Sequence, residues 1–337
     1  MKKRLAVCVI AASMAAMMVS GTAMAEEYKV GILKYMDHAS LDQIEDAILA
    51  ELDALSEEGE DTYVYEGYVY SGNAETATMQ QQAAQLIDDD QVDIVIPIAT
   101  PAVSPLTNEI EDLDEPIPVV FAAVSDPVGS ELVDSLDAPG GYITGTSDAL
   151  NTEAILDLMF LANPDLEKVG LLYSLSEDSS TQPIADAKAY LDEKGIEYVE
   201  ATGTNNSEIM QAVESLISDG VQAIFTPTDN TVMSAELSIY ETLLEAGVPH
   251  YTGADSFAVN GAFVGFGVDY ELLGKETADL AVAILQGADP AETAVVTFDN
   301  GIVTVNTETA EALGIDYSVF EEVATQIVEV VTAESME

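Results

Sequence analysis

Short apolar runs alternate with amphipathic stretches along most of this chain. The run 28–33 is short and largely apolar, which is typical of a buried strand. The stretch 41–55 places leucine or isoleucine every three or four residues, which predicts an amphipathic helix. The alternation continues with a strand at 63–70, a helix at 76–87 and strands at 92–98 and 118–124. Strands that alternate with helices in this way predict an α/β fold with parallel sheets.

The same pattern begins again in the second half of the chain. Residues 168–172 (Lys-Val-Gly-Leu-Leu) match residues 29–33 (Lys-Val-Gly-Ile-Leu). Two further matches follow in the same order: the strands that end in Thr100-Pro101 and Thr226-Pro227, and the runs that begin at Pro118 and Pro249. Three matches in chain order predict two similar α/β lobes.

The last part of the chain does not form a third copy. It predicts a strand at 262–267, a helix at 272–285 and a β-hairpin around Asp299-Asn300-Gly301. We expect these pieces to complete two Rossmann-like lobes joined by a multi-strand hinge. Lobe 1 is predicted over 26–145 plus about 257–287, and lobe 2 over 146–256 plus about 288–337. Lobes joined in this way form a cleft that closes about a hinge.

Residues 1–25 have the pattern of an export signal. A basic segment at 2–4 precedes an apolar segment at 5–19, and Ala23-Met24-Ala25 is a small-x-small cleavage signal. We expect cleavage after Ala25, a periplasmic or extracellular protein, and no lipid anchor. Cleavage would also remove Cys8, the only cysteine of the chain.

Acidic residues dominate the composition. The chain has 62 Asp and Glu against 9 Lys and Arg, a formal charge of −53. Without the leader, six lysines and no arginine remain. Nucleic acid is therefore excluded as a partner, because its binding depends on Lys and Arg that neutralise phosphates. An acidic, solvated surface is typical of an exported or salt-exposed protein.

Polar residues follow the predicted strands. The clearest loop is 226–231 (Thr-Pro-Thr-Asp-Asn-Thr), which joins a strand to a helix. Ligands bind at the carboxyl ends of parallel strands, and helix N-termini favour anions. Helix capping explains each loop singly, but six such loops from two lobes favour a small-ligand site. The candidate ligand-binding residues are Tyr35, His38, Thr100, Ser125, Asp126, Ser179, Ser180, Thr228, Asp229, Asn230 and Asp255.

Signals for catalysis and for metal binding are poor. The segment 145–149 (Gly-Thr-Ser-Asp-Ala) ends in Ala where a nucleophile elbow has Gly. His38 and His250 lie in different predicted lobes without a cysteine or second histidine at ligand spacing, so no metal or cofactor is expected. For His250, in a predicted strand, we expect a structural role. A secreted hydrolase that uses Ser147 or paired carboxylates remains an alternative.

A set of segments carries a resemblance to a known family. The segments are 37–42 (Asp-His-Ala-Ser-Leu-Asp), 99–102, 118–128, 144–148, 226–232, 254–255 and 273–278. Together they resemble the periplasmic substrate-binding proteins of ABC importers of the tryptophan/tyrosine type, over nearly the whole chain after the leader. The resemblance implies a type I periplasmic-binding fold, a free amino acid as ligand, aromatic in some members, and an ABC permease as partner.

The resulting hypothesis assigns the charged groups of a zwitterionic amino acid. Asp229, with Asp255, would hold the ammonium, and Thr228, Ser179 and Ser180 with backbone N–H groups would receive the carboxylate. The family commonly has Glu-x-Asn-Ser where this chain has Glu-Asp-Ser-Ser at 177–180. Ser179 thus replaces an amide, which leaves the ligand and its pose open.

The other candidates concern the ligand's side chain and the loop. Tyr35 and His38 would border the side-chain pocket, and Asn230 would orient its loop. The protein is expected to be a monomer and no enzyme. Alternatives are a different small ligand (a branched amino acid, a nucleoside or a sugar) and a ligand sensor that docks on a membrane receptor.

Overall fold

The computed structural model describes residues 25–111, 113–298 and 301–333. The predicted leader up to residue 24 and Asp299-Asn300 of the predicted hairpin lie outside these ranges. The described residues form two α/β lobes, each built on its own sheet. Within them, no helix combines the length and the apolar character needed to cross a membrane.

The sheet of the first lobe is parallel throughout the described residues. Its strands are β1 (Glu27–Lys34), β2 (Thr62–Val64), β3 (Val69–Ser71), β4 (Ile94–Ile98), β5 (Val119–Phe121), β6 (Ile143–Ser147) and β12 (Val296–Thr297). Their order is β12-β6-β5-β4-β1-β2, and β3 also pairs with β1. Every residue of β4 is buried, as expected for a central parallel strand covered by helices on both faces.

The sheet of the second lobe has the same arrangement with one antiparallel pair. Its strands are β7 (Lys168–Tyr173), β8 (Glu197–Thr202), β9 (Ala223–Thr226), β10 (His250–Thr252), β11 (Val264–Gly267), β13 (Ile302–Asn306) and β14 (Gln326–Val330). Their order is β14-β13-β11-β10-β9-β7-β8, and only β11 and β13 run antiparallel within the part described. In both sheets, five strands follow the same spatial order, which confirms the predicted pair of similar lobes.

Helices connect the strands and cover the sheets. They are α1 (Ala39–Glu58), α2 (Thr76–Ala84), α3 (Val103–Ile110), α4 (Thr152–Ala162), α5 (Thr181–Lys194), α6 (Asn206–Ser218), α7 (Asn230–Ala246), α8 (Asp255–Val259), α9 (Tyr270–Leu285) and α10 (Thr307–Leu313). Short 3₁₀ turns at Thr100–Ala102 and Asp178–Ser180 lead directly into α3 and α5. Helices α3 and α5 begin at the carboxyl ends of strands, so their first turns face the gap between the lobes.

Helix α9 ties the end of the chain to the first lobe. It packs against α1, and Gly274 makes the close approach possible, because a Cβ there would lie 2.6 Å from the Cβ of Ala47 and 2.7 Å from the oxygen of Ile44. The chain crosses to the second lobe after β6, returns after β11 and crosses again between β12 and β13. Residues at these crossings lie next to both lobes.

The predicted lobe boundaries differ from the sheets in two places. Strand β11 belongs to the second sheet, although the range 257–287 was assigned to lobe 1. Strand β12 pairs with β6 in the first sheet, although the range from about 288 was assigned to lobe 2. The reason lies in the repeat, since β11 is the second lobe's equivalent of β6 and completes that copy.

Two local predictions were also wrong. The predicted strand 63–70 is two short strands, β2 and β3, separated by a turn in which Gly67 has a φ of +92°. The predicted hairpin does not form, because β12 and β13 join different sheets. The chain thus crosses between the lobes between β12 and β13, rather than reversing within one sheet.

Candidate functional site

A small cavity lies between the lobes at the carboxyl ends of the strands. Seven of the predicted site residues line it: His38, Thr100, Ser125, Ser179, Thr228, Asp229 and Asn230. They come from both lobes, so the predicted convergence of strand-end loops is observed for these residues.

Asp229 is the N-cap of α7 and is 1% exposed. One carboxylate oxygen accepts a hydrogen bond from the backbone N–H of Val232 (2.9 Å). The other accepts from the backbone N–H of Ser174 and the hydroxyl of Ser180, both at 2.7 Å. Three bonds within its own lobe therefore hold this carboxylate, and burial raises its pKa.

Neighbouring polar groups of the second lobe are also bonded to each other. The hydroxyl of Ser179 donates to the carbonyl of Thr228 (3.1 Å). The amide of Asn230 donates to Glu177 (2.9 Å), which is 2% exposed. Burial and the charge of Asp229 raise the pKa of Glu177 to about 8. The amide of Asn230 is thus bonded within its own lobe, and the hydroxyls of Ser179 and Ser180 already donate there.

Asp148 is a cavity-lining carboxylate that is not among the predicted ligand-binding residues. It lies at the first crossing between lobes and is 6% exposed. It accepts a hydrogen bond from Ser125 (2.8 Å) and a long one from the hydroxyl of Tyr270 (3.5 Å). Burial raises its pKa, and its segment 144–148 already belonged to the family resemblance.

The first lobe contributes strained backbone and an unpartnered hydroxyl. Ala99 and Ala123, which follow β4 and β5, have φ values of +74° and +53° and line the cavity. Positive φ in a non-glycine residue stores strain, which concentrates at functional sites. Next to Ala99, the hydroxyl of Thr100 is buried without a hydrogen-bond partner.

Hydrogen bonds between the lobes close the cavity. His38 Nε2 bonds to Asn230 Oδ1 (2.9 Å), and the hydroxyl of Ser125 bonds to that of Thr228 (3.2 Å). A further pair joins the hydroxyls of Ser40 in α1 and Ser256 in α8.

The lining of the cavity contains two chemically different groups of side chains. Ser125, Thr228 and Asp148 are joined by hydrogen bonds and form a polar group. The lining also includes His38 and three apolar side chains. These are Leu41, Met233 and Phe257. Sequence reasoning missed them because apolar residues near helix starts are indistinguishable from core residues before the lobes are placed.

Four predicted site residues lie outside the cavity lining. Tyr35 lines a separate open groove between the lobes, and Ser180 acts through Asp229. Asp126 caps a local turn, where its carboxylate accepts from the N–H of Gly129 (2.8 Å). Asp255 begins α8; one of its oxygens is buried without a partner, and burial raises its pKa to about 6.

Neither a metal centre nor a catalytic serine is assembled by the described residues. They contain no group of three or more His, Cys, Asp or Glu side chains placed to hold a metal ion. The hydroxyl of Ser147 contacts the carbonyl of Ser125 and the N–H of Ala149. His250 is buried in the second lobe, where it bonds Glu236 and Thr226; this arrangement fits the structural role expected of it.

Two similar α/β lobes that enclose such a cavity define the class of two-lobed binding proteins. More particularly, the chain belongs to the ABC transporter substrate-binding protein family, whose model matches residues 29–331. This confirms the family resemblance and the type I periplasmic-binding fold.

Relatives extend the family match. The chain is 28% identical to the tyrosine-binding protein of Clostridioides difficile (strain R20291), over 86% of this chain and 81% of the relative. It is similar to the L-Trp complex of an ABC domain from Streptococcus pneumonia, with 30% identity, a TM-score of 0.80 and coverage of 90% and 100%. A ligand-free, open substrate-binding protein with adhesive properties from Clostridium difficile has 28% identity, a TM-score of 0.68 and coverage of 91% and 100%.

Proposed function

We propose that this protein captures a small zwitterionic amino acid with an aromatic side chain in the interlobe cavity and delivers it to an ABC import permease. We further propose that it is exported, cleaved after Ala25 and acts as a monomer. The observation that carries the amino-acid assignment is the charge of the cavity. Two buried carboxylates, Asp148 and Asp229, line it, and no lysine or arginine is among its described lining residues.

An ammonium group is the natural complement of this charge. A buried carboxylate without a cation is costly, and its pKa rises as a result. Burial raises the pKa of both Asp148 and Asp229. Asp148 makes one short hydrogen bond and one long one, whereas Asp229 makes three. We therefore assign the direct contact with the ammonium to Asp148, and to Asp229 a supporting charge behind it.

The carboxylate of the ligand requires donors. The hydroxyl of Thr100 has no protein partner, whereas the hydroxyl of Ser125 already donates to Asp148 and therefore accepts from that of Thr228. Thr100 also begins the 3₁₀ turn that leads into α3, where free N–H groups favour an anion. Thr100 and the N–H groups of its turn replace Ser179 and Ser180 in the assignment, because both of those hydroxyls donate within their own lobe.

The apolar lining residues and the relatives support an aromatic side chain. Leu41, Met233 and Phe257 offer contacts for a ring rather than for a sugar. The relatives include a tyrosine-binding protein and an L-Trp complex. The TM-score is also higher against the L-Trp complex than against the open, ligand-free structure at similar identity, which agrees with the closed lobes of this protein.

A thermal-shift screen against the twenty amino acids, with nucleosides and sugars in parallel, tests the proposal. A ligand at 100 times its dissociation constant stabilises the native state by about 2.7 kcal/mol. We expect stabilisation by aromatic amino acids, and its loss in Asp148→Asn. A response to nucleosides or sugars alone would contradict the amino-acid assignment, and turnover of a responding compound would favour the hydrolase alternative. Docking on a receptor without uptake would identify a sensor.

A further inference from the structure

The hydrogen bonds around His38 fix which of its ring nitrogens carries the proton. Asn230 donates its amide N–H to the carboxylate of Glu177 (2.9 Å). Its amide oxygen therefore faces His38 and can only accept. His38 Nε2, at 2.9 Å from that oxygen, must be the donor. In the neutral ring, the other nitrogen, Nδ1, then carries a lone pair and is an acceptor.

The Nδ1 atom of His38 has no partner in the protein. It is buried and makes no hydrogen bond, although His38 lines the cavity. The side chain does not cap α1 either, despite its position as the N-cap residue. Buried acceptors are nearly always paired in native proteins, so an unpaired one next to a ligand cavity requires an explanation.

The surroundings of His38 identify the part of the ligand that it meets. Leu41 lies one helical turn further along α1, and Met233 lies one turn after Asn230 in α7; both line the cavity. The carboxylate that we assign to the ammonium, Asp148, is bonded to Ser125 instead. The lining residues next to His38 along the helices are thus apolar ones, which we assign to the ligand's side chain.

We propose that His38 Nδ1 accepts a hydrogen bond from an N–H or O–H group on the ligand's side chain. The site would then select aromatic amino acids that carry such a donor, a phenol or an indole, over phenylalanine. This inference rests on the proposed function and deepens it. A site built to bond a donor discriminates against an analogue without it, because the buried acceptor is left unpaired.

Burial of the ring supports the neutral state that the acceptor role needs. It lowers the pKa of His38, against the opposing effects of Asn230 and the carboxylates of Asp42 and Asp37. A protonated ring would present N–H groups on both nitrogens and would offer no acceptor.

Calorimetric titration with L-tyrosine, L-phenylalanine and L-tryptophan tests the inference. We expect phenylalanine to bind about 5-fold to 150-fold more weakly than tyrosine, the equivalent of one unpaired buried acceptor. In His38→Phe this ratio should fall towards one. The matched control is Ser40→Ala, which removes a neighbouring bond between lobes and should keep the ratio. Equal affinities for tyrosine and phenylalanine in the unmodified protein, or an unchanged ratio in His38→Phe, would overturn the inference.

Nitrogen-15 NMR of the labelled histidines provides a readout that does not depend on a variant's folding. The chain has two histidines, and His250→Gln assigns their signals. We expect the Nε2–H tautomer for His38, with a shift of its Nδ1 resonance when tyrosine binds. The opposite tautomer would refute the inference. If none of the three amino acids binds, the proposed function itself fails, a result distinct from binding without discrimination.

Discussion

The two sides of the cavity differ in how far their polar groups are already satisfied. On the second-lobe side, Ser179, Asp229 and Asn230 bond within their own lobe. On the first-lobe side, His38 Nδ1 and the hydroxyl of Thr100 are the buried side-chain atoms without partners among the described lining residues.

This difference indicates that the two lobes have different roles in binding. A closed hydrogen-bond network holds groups in fixed positions, so the second lobe provides charged groups whose positions are set before the ligand binds. Unpaired groups and strained backbone remain available for new bonds, so the first lobe supplies unpaired polar groups to which the ligand can bond. The strained residues Ala99 and Ala123 belong to the first lobe as well.

The largest expected effect is loss of stability in Asp229→Ala. The variant removes the N-cap of α7 and leaves the Ser174 N–H and the Ser180 hydroxyl without their acceptor. We expect the free energy of unfolding to fall by about 3 kcal/mol, measured by urea denaturation without ligand. If the variant is as stable as the parent but no longer binds ligand, Asp229 is the direct partner of the ammonium and not a supporting group.

Asp148→Asn should have the opposite effect, since it should weaken binding without reducing stability. The amide retains the shape of a side chain whose charge is buried without a cation, so we expect unchanged or higher stability without ligand. Affinity for the amino acid should fall by at least about 2 kcal/mol, because the ammonium loses its charged partner. Calorimetry on this variant and on Asp126→Asn, a carboxylate outside the cavity, provides a matched pair. Equal affinities in both would remove Asp148 from the site.

The hydrogen-bonded network of the second lobe should also contribute less stability as the pH rises. The pKa of Glu177 is raised from 4.5 to about 8, so the folded protein binds this proton more tightly than the unfolded chain does. The free energy of unfolding should therefore decrease between pH 4.5 and pH 8. Glu177→Gln should reduce this slope, measured by urea denaturation across the range. An unchanged slope would show that Glu177 does not titrate in this window.

The smallest expected effect concerns closure of the lobes. Ser40→Ala removes the hydroxyl pair with Ser256 across the cleft. We expect the affinity for ligand to fall by about 1 kcal/mol, with little change in the unfolding of either lobe. A fluorescence distance measurement between the lobes should show a more open ensemble without ligand. A loss of stability comparable to that of Asp229→Ala would indicate that the contact supports the fold instead.

Much of the fold was predictable because its signals are local or repeated. The apolar run at 92–98 is a buried parallel strand, and the repeat of Lys-Val-Gly at 29–31 and 168–170 marks β1 and β7. The convergence of Ser125 and Thr228 from different lobes followed from the rule that strand ends meet at one edge.

The remainder depended on contacts between distant residues. Asp148 and Tyr270 meet only because two crossings between lobes run side by side. The sequence marks Ser179 and Ser180 as hydroxyls but does not show that both donate within their own lobe. For the same reason, the sequence predicts Asp229 as a ligand residue and does not show its three internal bonds.

A crystal structure of the complex with L-tyrosine tests the account most directly. We predict the ligand in the interlobe cavity, with its ammonium on Asp148 and its phenol oxygen within hydrogen-bond distance of His38 Nδ1. Tyrosine bound elsewhere, such as in the open groove beside Tyr35, or an ammonium held by Asp229 with the phenol away from His38, would contradict it.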